Sequence, residues 1–134
     1  MSGTGFVIDR FDHIVLTVRD LAASLDFYER VLGARVVPPP ADGKGSTAVA
    51  FGRQKINLHV KGREFEPKAT HVTVGSGDFC LITEAPLEAV TRHLAACGVA
   101  VELGPVPRHG ALGPMMSVYF RDPDGNLVEV ARYG

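Results

Sequence analysis

Four residues with metal-binding side chains stand at related places in the sequence: His13, His59, Asp78 and Glu129. Glu129 sits between two valines in an apolar run, and burying a carboxylate is costly unless it meets a partner, a proton or a metal. Two neutral imidazoles and two carboxylates suit a divalent ion such as zinc, nickel, iron, manganese or cobalt. If some coordination positions stay open for water or substrate, such a site is catalytic rather than structural.

The elements that must position these residues occur twice. In the first half, the pattern predicts a strand at 11–18, a helix that begins after Asp20 and ends at Gly33, and strands at 34–37, 47–51 and 55–60. In the second half, it predicts a strand at 78–83, a helix from Pro86 to Gly98, and strands at 99–102, 116–120 and 127–131. The order strand-helix-strand-strand-strand is therefore repeated.

The repeat predicts the fold class. Neither half can bury its apolar faces alone, so we expect two βαβββ modules, at about residues 6–69 and 70–134, to form one α+β domain. Packed side by side, the modules would build a curved mixed sheet around a central cavity.

The repeat also relates the four polar residues in pairs. His13 and Asp78 each begin the first strand of a module, and the repeat predicts equivalent places for His59 and Glu129 in the last strand. A pseudo-two-fold axis between the modules would bring all four toward one point in the cavity. The sequence therefore predicts a metal site there, with Glu129 as a candidate catalytic residue.

Each of these residues also has a structural interpretation. A single histidine in a strand is often just a hydrogen-bonded residue, and Glu129 would find a partner in Arg121 or Arg132. Asp78 follows Gly75-Ser76-Gly77 and would suit a turn or the start of a strand. His71 is an alternative ligand in place of Asp78.

A second group of residues suggests contacts with a substrate. Arg108 and His109 lie in a Gly/Pro-rich segment, 104–114, which we predict to be a loop that closes over substrate. Arg108 would hold a carboxylate or phosphate in a forked hydrogen bond, or would simply be solvated. Ser117 and Tyr119 share one face of the next strand, where their hydroxyls would touch substrate, although Tyr119 also suits ordinary packing.

Composition excludes several other classes of protein. The chain has 134 residues, a net charge of -1 and no basic stripe, so neither nucleic acid nor an anionic membrane surface is an expected partner. The opening MSGTGFVIDRF has neither the long apolar core nor the cleavage signature of a leader, and nowhere do 18 apolar residues follow one another. Two cysteines are too few for a disulfide framework. We therefore expect a cytoplasmic protein.

The segments DHIVLTVRDL, FYERVLGARV, FGRQKINLH, GSGDFCLIT and FRDPDGNLVEV resemble the vicinal oxygen chelate superfamily over nearly the whole chain. That superfamily includes glyoxalase I, extradiol dioxygenases, fosfomycin-resistance proteins, methylmalonyl-CoA epimerase and bleomycin-binding proteins. GREFEPKA and GPVPRHGALGPMMSVYFRDPDGN are most similar to its glyoxalase domain-containing protein 5 group and to bacterial proteins labelled virulence-associated. The resemblance implies paired βαβββ modules, a divalent metal ion on His13, His59, Asp78 and Glu129, and a homodimer. Asp78 departs from the pattern, because many members have histidine there.

Three functions follow, in order of preference. The first is a lyase or isomerase of the glyoxalase type. In such an enzyme the metal binds two adjacent substrate oxygens and stabilises an enediolate, while Glu129 shuttles a proton. The second is an Fe(II) dioxygenase that cleaves a catechol-like ring, since two histidines and a carboxylate make up a facial triad. The third is a binding protein for an antibiotic or metabolite. The sequence has no tryptophan to line such a cup, which argues against the third.

Overall fold

The computed structural model describes residues 3–134 and contains eight strands and two helices within that range. They are β1 His13–Val18, α1 Leu21–Leu32, β2 Arg35–Val37, β3 Ala48–Phe51, β4 Gln54–Val60, β5 Asp78–Ile82, α2 Leu87–Ala96, β6 Leu103–Gly110, β7 Gly113–Arg121 and β8 Leu127–Tyr133. Neither helix is long and apolar enough to cross a membrane.

The strands form two four-stranded mixed sheets with matching topology. The first sheet has the order β1-β4-β3-β2 and the second has the order β5-β8-β7-β6. In each sheet the first and last strands of the module pair in parallel, while the remaining pairs are antiparallel. The predicted α+β class with two βαβββ modules is confirmed, although hydrogen bonds divide the strands into two sheets and close no barrel.

Helix α1 begins and ends where local chemistry dictates. The Asp20 side chain accepts a hydrogen bond from the Ala23 amide at 3.1 Å, which satisfies one of the free donors at the helix start. Gly33 ends the helix in the left-handed region, at φ 67°, where a side chain would be strained. Both boundaries agree with the sequence prediction.

The loop prediction for residues 104–114 is wrong. This segment forms β6 and the start of β7, joined by a tight turn at Ala111-Leu112, whereas the strand predicted at 99–102 does not form. The three prolines in the segment had suggested a loop. Since β6 is the edge strand of its sheet, Pro105 and Pro107 can lack an amide donor without breaking a ladder on both sides.

The helix-facing sides of the two sheets share one apolar core. It contains residues from both modules, among them Leu16 and Ile56 from the first and Phe120 and Val130 from the second. Alternation along each strand leaves the opposite sides of the sheets as open faces. The candidate metal ligands lie on these open faces.

A buried polar network connects the modules. The Tyr28 hydroxyl of α1 donates to Asp122 Oδ2 at 2.7 Å, and the Asn126 side-chain amide donates to the same oxygen at 2.8 Å. Asp122 Oδ1 accepts from the Asp124 and Asn126 amides, both at 2.9 Å. Burial, followed by the charge of Asp122, raises the pKa of Tyr28, so its hydroxyl stays protonated and remains a donor.

We expect Tyr28→Phe to lower the free energy of unfolding by about 1.5–3 kcal/mol, because it removes a hydrogen bond to a buried carboxylate. Urea unfolding followed by circular dichroism measures the change. Tyr133→Phe is the matched control: the Tyr133 hydroxyl accepts an exposed hydrogen bond from the Leu112 amide in the turn of the hairpin, and the loss of this hydrogen bond should cost less than about 1 kcal/mol. Equal effects of the two substitutions would contradict a central role for the network.

Candidate metal centre

The open face of the first sheet carries His13, Asn57 and His59. Parallel pairing places His13 beside Lys55, Val15 beside Asn57, and Thr17 beside His59. Since alternate residues of a strand share a face, all six side chains are on the side away from the core. His13 and His59 are therefore separated by four positions along the sheet, or roughly 13 Å.

The open face of the second sheet carries Asp78 and Glu129. Asp78 pairs with Leu127, Cys80 with Glu129, and Ile82 with Ala131. Asp78 and Glu129 line one cleft of about 450 Å³, so the two acids predicted from the sequence share one recess.

The strand register corrects the equivalence that we inferred from the repeat. Counted from His13 and Asp78, the residue that matches Glu129 is Asn57, and the residue that matches His59 is Ala131. His59 is thus displaced by two residues from the place that symmetry assigns to a ligand. Asn57 was not predicted from the sequence as a candidate ligand.

Residue type alone does not distinguish Asn57 from His59. In the stretch INLHV both residues stand between apolar neighbours, as Glu129 does in VEV. A polar residue inside an apolar run therefore marks both positions as candidates. Only the pairing of β1 with β4 shows that Asn57 is the positional match of Glu129.

Two oxygen atoms at these matching positions lack hydrogen-bond partners. Asn57 Oδ1 and Glu129 Oε2 are both buried and unpartnered within the described part of the chain. A buried polar atom without a partner loses about 1–3 kcal/mol relative to its hydrated state. Oxygen ligands of this kind, together with an imidazole, fit a divalent cation.

The surroundings of His13 also suit a ligand. Its Nδ1 lies 2.8 Å from Asp12 Oδ1, so Nδ1 can donate to the carboxylate while Nε2 presents a lone pair. This hydrogen bond from His13 is the main reason that the pKa of Asp12 lies below its usual range. Histidine ligands in metal sites are commonly oriented by a carboxylate in this way.

The predicted ligands do not form a complete metal site within the described part of one chain. Within residues 3–134, no three His, Cys, Asp or Glu side chains come close enough to share a cation. His13 and Asp78 border one cleft of about 380 Å³, whereas Glu129 opens into a different one. The predicted convergence of all four residues is thus not achieved inside one chain.

His59 and His71 share a cavity with Asp78. This cavity of about 740 Å³ lies next to the segment that links the modules, and its lining includes neither His13 nor Glu129. The ring of His59 packs edge-on against Phe65, with 5.2 Å between ring centroids. This contact gives His59 a packing role whether or not it also binds metal.

The four predicted substrate residues lie on different faces of the hairpin formed by β6 and β7. Arg108 and Tyr119 line the same cleft as Glu129, and Tyr119 is the direct cross-strand neighbour of Glu129. Ser117 is on the same open face and is fully buried, with no partner for its hydroxyl in the described structure. His109 alternates with Arg108 along β6, so its side chain is on the opposite side of the hairpin.

Cys80 is a neighbour of Glu129 rather than a nucleophile. Burial, with a smaller contribution from the Glu129 carboxylate, raises the pKa of the Cys80 thiol to about 11. The thiol is therefore protonated near neutral pH, where only a thiolate would attack a substrate.

Comparison with known proteins identifies similar chains. The model of the Glyoxalase/Bleomycin resistance protein/Dioxygenase superfamily matches residues 10–130. Virulence protein STM3117 of Salmonella typhimurium is 49% identical over 127 residues, which cover 95% of this chain and 86% of that protein. Glyoxalase domain-containing protein RDO1 of Mycosarcoma maydis is 48% identical, with 91% and 67% covered. The integron cassette protein VCH_CASS1 of V. Cholerae has a TM-score of 0.90 and 50% identity, with 96% and 98% covered.

More distant relatives carry names of enzymes. Lactoylglutathione lyase of Arabidopsis thaliana is 27% identical over 93% of this chain and 44% of its own length. Human mitochondrial methylmalonyl-CoA epimerase is 28% identical, with 97% and 77% covered. Biphenyl-2,3-diol 1,2-dioxygenase 3 of Rhodococcus globerulus is 30% identical, with 92% and 63% covered.

Proposed function

Because the chain belongs to the Glyoxalase/Bleomycin resistance protein/Dioxygenase superfamily, we propose that it is a metal-dependent lyase or isomerase. It acts on a small substrate through two adjacent oxygens. The proposed ligands of the divalent cation are His13, Asp78 and Glu129, with the Asn57 oxygen at the fourth position and His59 as the alternative.

One observation carries this proposal. Asn57 Oδ1 and Glu129 Oε2 are buried without partners at matching places in the two sheets. The buried carboxylate of Asp122, by contrast, has hydrogen bonds to both of its oxygens. A cation shared between the two open faces gives both oxygens a partner.

When bound, a divalent cation supplies a Lewis acid that stabilises negative charge on two substrate oxygens. The residues of the chain do the remaining work. Glu129 takes a proton from a substrate carbon on one of its carboxylate oxygens and returns it to a neighbouring position. The Asp12 carboxylate orients His13.

The residue types favour this chemistry over Fe(II)-dependent ring cleavage. A dioxygenase of that class uses two histidines and one carboxylate. The positions related by the strand register supply one histidine, His13, and two carboxylates, Asp78 and Glu129. Oxygen consumption that required Fe(II) and a catechol would favour the dioxygenase.

The proposed site forms between two protomers. The open face of the first sheet supplies His13 and Asn57, and the open face of the partner's second sheet supplies the two acids. Support comes from the dispersed ligands of the single chain and from apolar side chains on both open faces: Val15 and Ile82 are 47% and 50% exposed.

We expect His13→Ala and Glu129→Ala to lose bound metal, and Asp12→Ala to weaken metal binding about 10- to 100-fold through the orientation of His13. Elemental analysis and calorimetric titration of chelator-treated protein with Zn²⁺ and Ni²⁺ measure these effects. Asn57→Ala and His59→Ala, measured in parallel, decide which of the two residues is the fourth ligand.

His93→Ala is the control for these substitutions, because His93 is on α2 and hydrogen-bonds the Arg30 carbonyl at 3.1 Å, away from both open faces. It should keep the metal content of the unchanged protein. Retention of metal by both His13→Ala and Glu129→Ala would overturn the proposed site.

A second prediction concerns the sharing of the site between protomers. We expect a heterodimer of His13→Ala/Asn57→Ala with Asp78→Ala/Glu129→Ala to bind about half the metal of the unchanged dimer, because one of its two symmetric sites is intact. The chains are co-expressed with different affinity tags, and the heterodimer is isolated by both. Each variant homodimer should bind no metal. A heterodimer without metal would contradict shared sites, and failure to isolate any dimer would contradict the proposed assembly.

A further inference from the structure

Arg108 is held at the rim of the cleft that contains Glu129. Its Nε donates to the Tyr119 hydroxyl at 2.8 Å, and its guanidinium carbon lies 5.3 Å from the centroid of the Tyr119 ring. One terminal nitrogen also donates to the Pro107 carbonyl at 3.0 Å. These contacts fix the head group beside Tyr119 and leave the second terminal nitrogen available to a ligand.

Arg108 has no ion-pair partner among the described residues. No carboxylate of residues 3–134 lies within ion-pair distance of it, whereas nearby Arg121 is paired with Glu102 through two hydrogen bonds of 2.9 and 3.0 Å. A fixed arginine without an acidic partner, in a cleft with two candidate metal ligands, is arranged to receive an anion from outside the chain.

We propose that Arg108, supported by Tyr119, binds a carboxylate of the substrate, and that the substrate is therefore a small carboxylic acid with two adjacent oxygens elsewhere in the molecule. This inference rests on the proposed function, since the two oxygens are the ones that the metal centre receives. It assigns specificity to Arg108 rather than catalysis.

Charge favours a carboxylate over a phosphate. The cleft is lined by three acids and one arginine: Asp78, Glu102, Glu129 and Arg108. Arg121 balances Glu102, and a divalent cation would balance Asp78 and Glu129, so Arg108 alone remains to balance the ligand. One guanidinium matches a carboxylate with a single negative charge, while a phosphate dianion would leave excess charge beside the acids.

The geometry also limits the size of the substrate. Tyr119 and Glu129 are paired across β7 and β8, and directly opposed side chains are roughly 5 Å apart. Because the Arg108 head group rests on Tyr119, a molecule that reaches from Arg108 to the metal centre needs to span only a few bonds. A long conjugate is not required to bridge the two groups.

The test compares three probes on the metal-loaded protein by calorimetry: 3,4-dihydroxybenzoate, its methyl ester and 3,4-dihydroxyphenylphosphonate. All three present the same adjacent oxygens. We expect 3,4-dihydroxybenzoate to bind most tightly, and Arg108→Met to weaken its binding about 10- to 100-fold without affecting the ester. Arg108→Lys should lose less affinity, because it keeps the charge but not the fork, and Tyr119→Phe should have an intermediate effect.

Arg53→Met is the matched control, because it removes the same charge from an exposed turn between β3 and β4. It should leave all three affinities unchanged. Equal binding of the acid and its ester, or an Arg108→Met variant that binds the acid normally, overturns the proposal. Tighter binding of the phosphonate overturns the choice of a carboxylate.

A metal-independent measurement separates this proposal from the proposed function. On chelator-treated protein, we expect benzoate, but not methyl benzoate, to shift the Nε–H signal of Arg108 in a nitrogen NMR spectrum, with Arg108→Lys used to assign that signal. If this shift occurs but the unchanged protein binds no metal, the metal-dependent function fails while the anion site stands. If metal binds and benzoate causes no shift, the anion site fails alone.

Discussion

The turn between β7 and β8 sets the positions of the candidate ligands through one buried carboxylate. Asp122 holds the turn by accepting the Asp124 and Asn126 amides, and it receives the Tyr28 hydroxyl from the other module. Asn126 in turn accepts the Gly77 amide at 2.7 Å, immediately before Asp78. A side chain at Gly77 would collide with this amide oxygen, at 2.8 Å. The network therefore fixes the start of β5 and the start of β8 together.

That fixed start determines which residues face one another. The Leu127 amide donates to the Gly77 carbonyl at 2.9 Å, and from this bond the parallel register runs to Cys80 beside Glu129. A slip of one residue would move Glu129 from the open face into the core. In the first sheet, the same register makes Asn57, and not His59, the positional match of Glu129. The hydrogen bonds between strands, and not the residue type, therefore decide which side chains of the two modules are equivalent.

The sequence correctly predicted the features that depend on helix capping and on the periodicity of apolar residues. The start of α1 at Asp20, its end at Gly33 and the duplicated order of elements all follow from capping and periodicity, and the structure agrees. The hairpin of β6 and β7 was missed because its prolines suggest a loop unless one knows that β6 is an edge strand. His13, Asp78 and Glu129 were identified as candidates from residue type. That Asn57, and not His59, is the positional match of Glu129 follows from the register between strands, which no single strand reveals.

The proposed metal centre would couple assembly to cation binding. Each open face holds only part of a ligand set, and Glu129 Oε2 has no hydrogen-bond partner among residues 3–134. A cation that binds both faces together binds the dimer better than the separated protomers, so by mass action it must also stabilise the dimer. The unfavourable burial of Glu129 and Asn57 oxygens is then offset only in the assembled state. On this view, the atoms that are unpartnered within one chain form part of the interface between two.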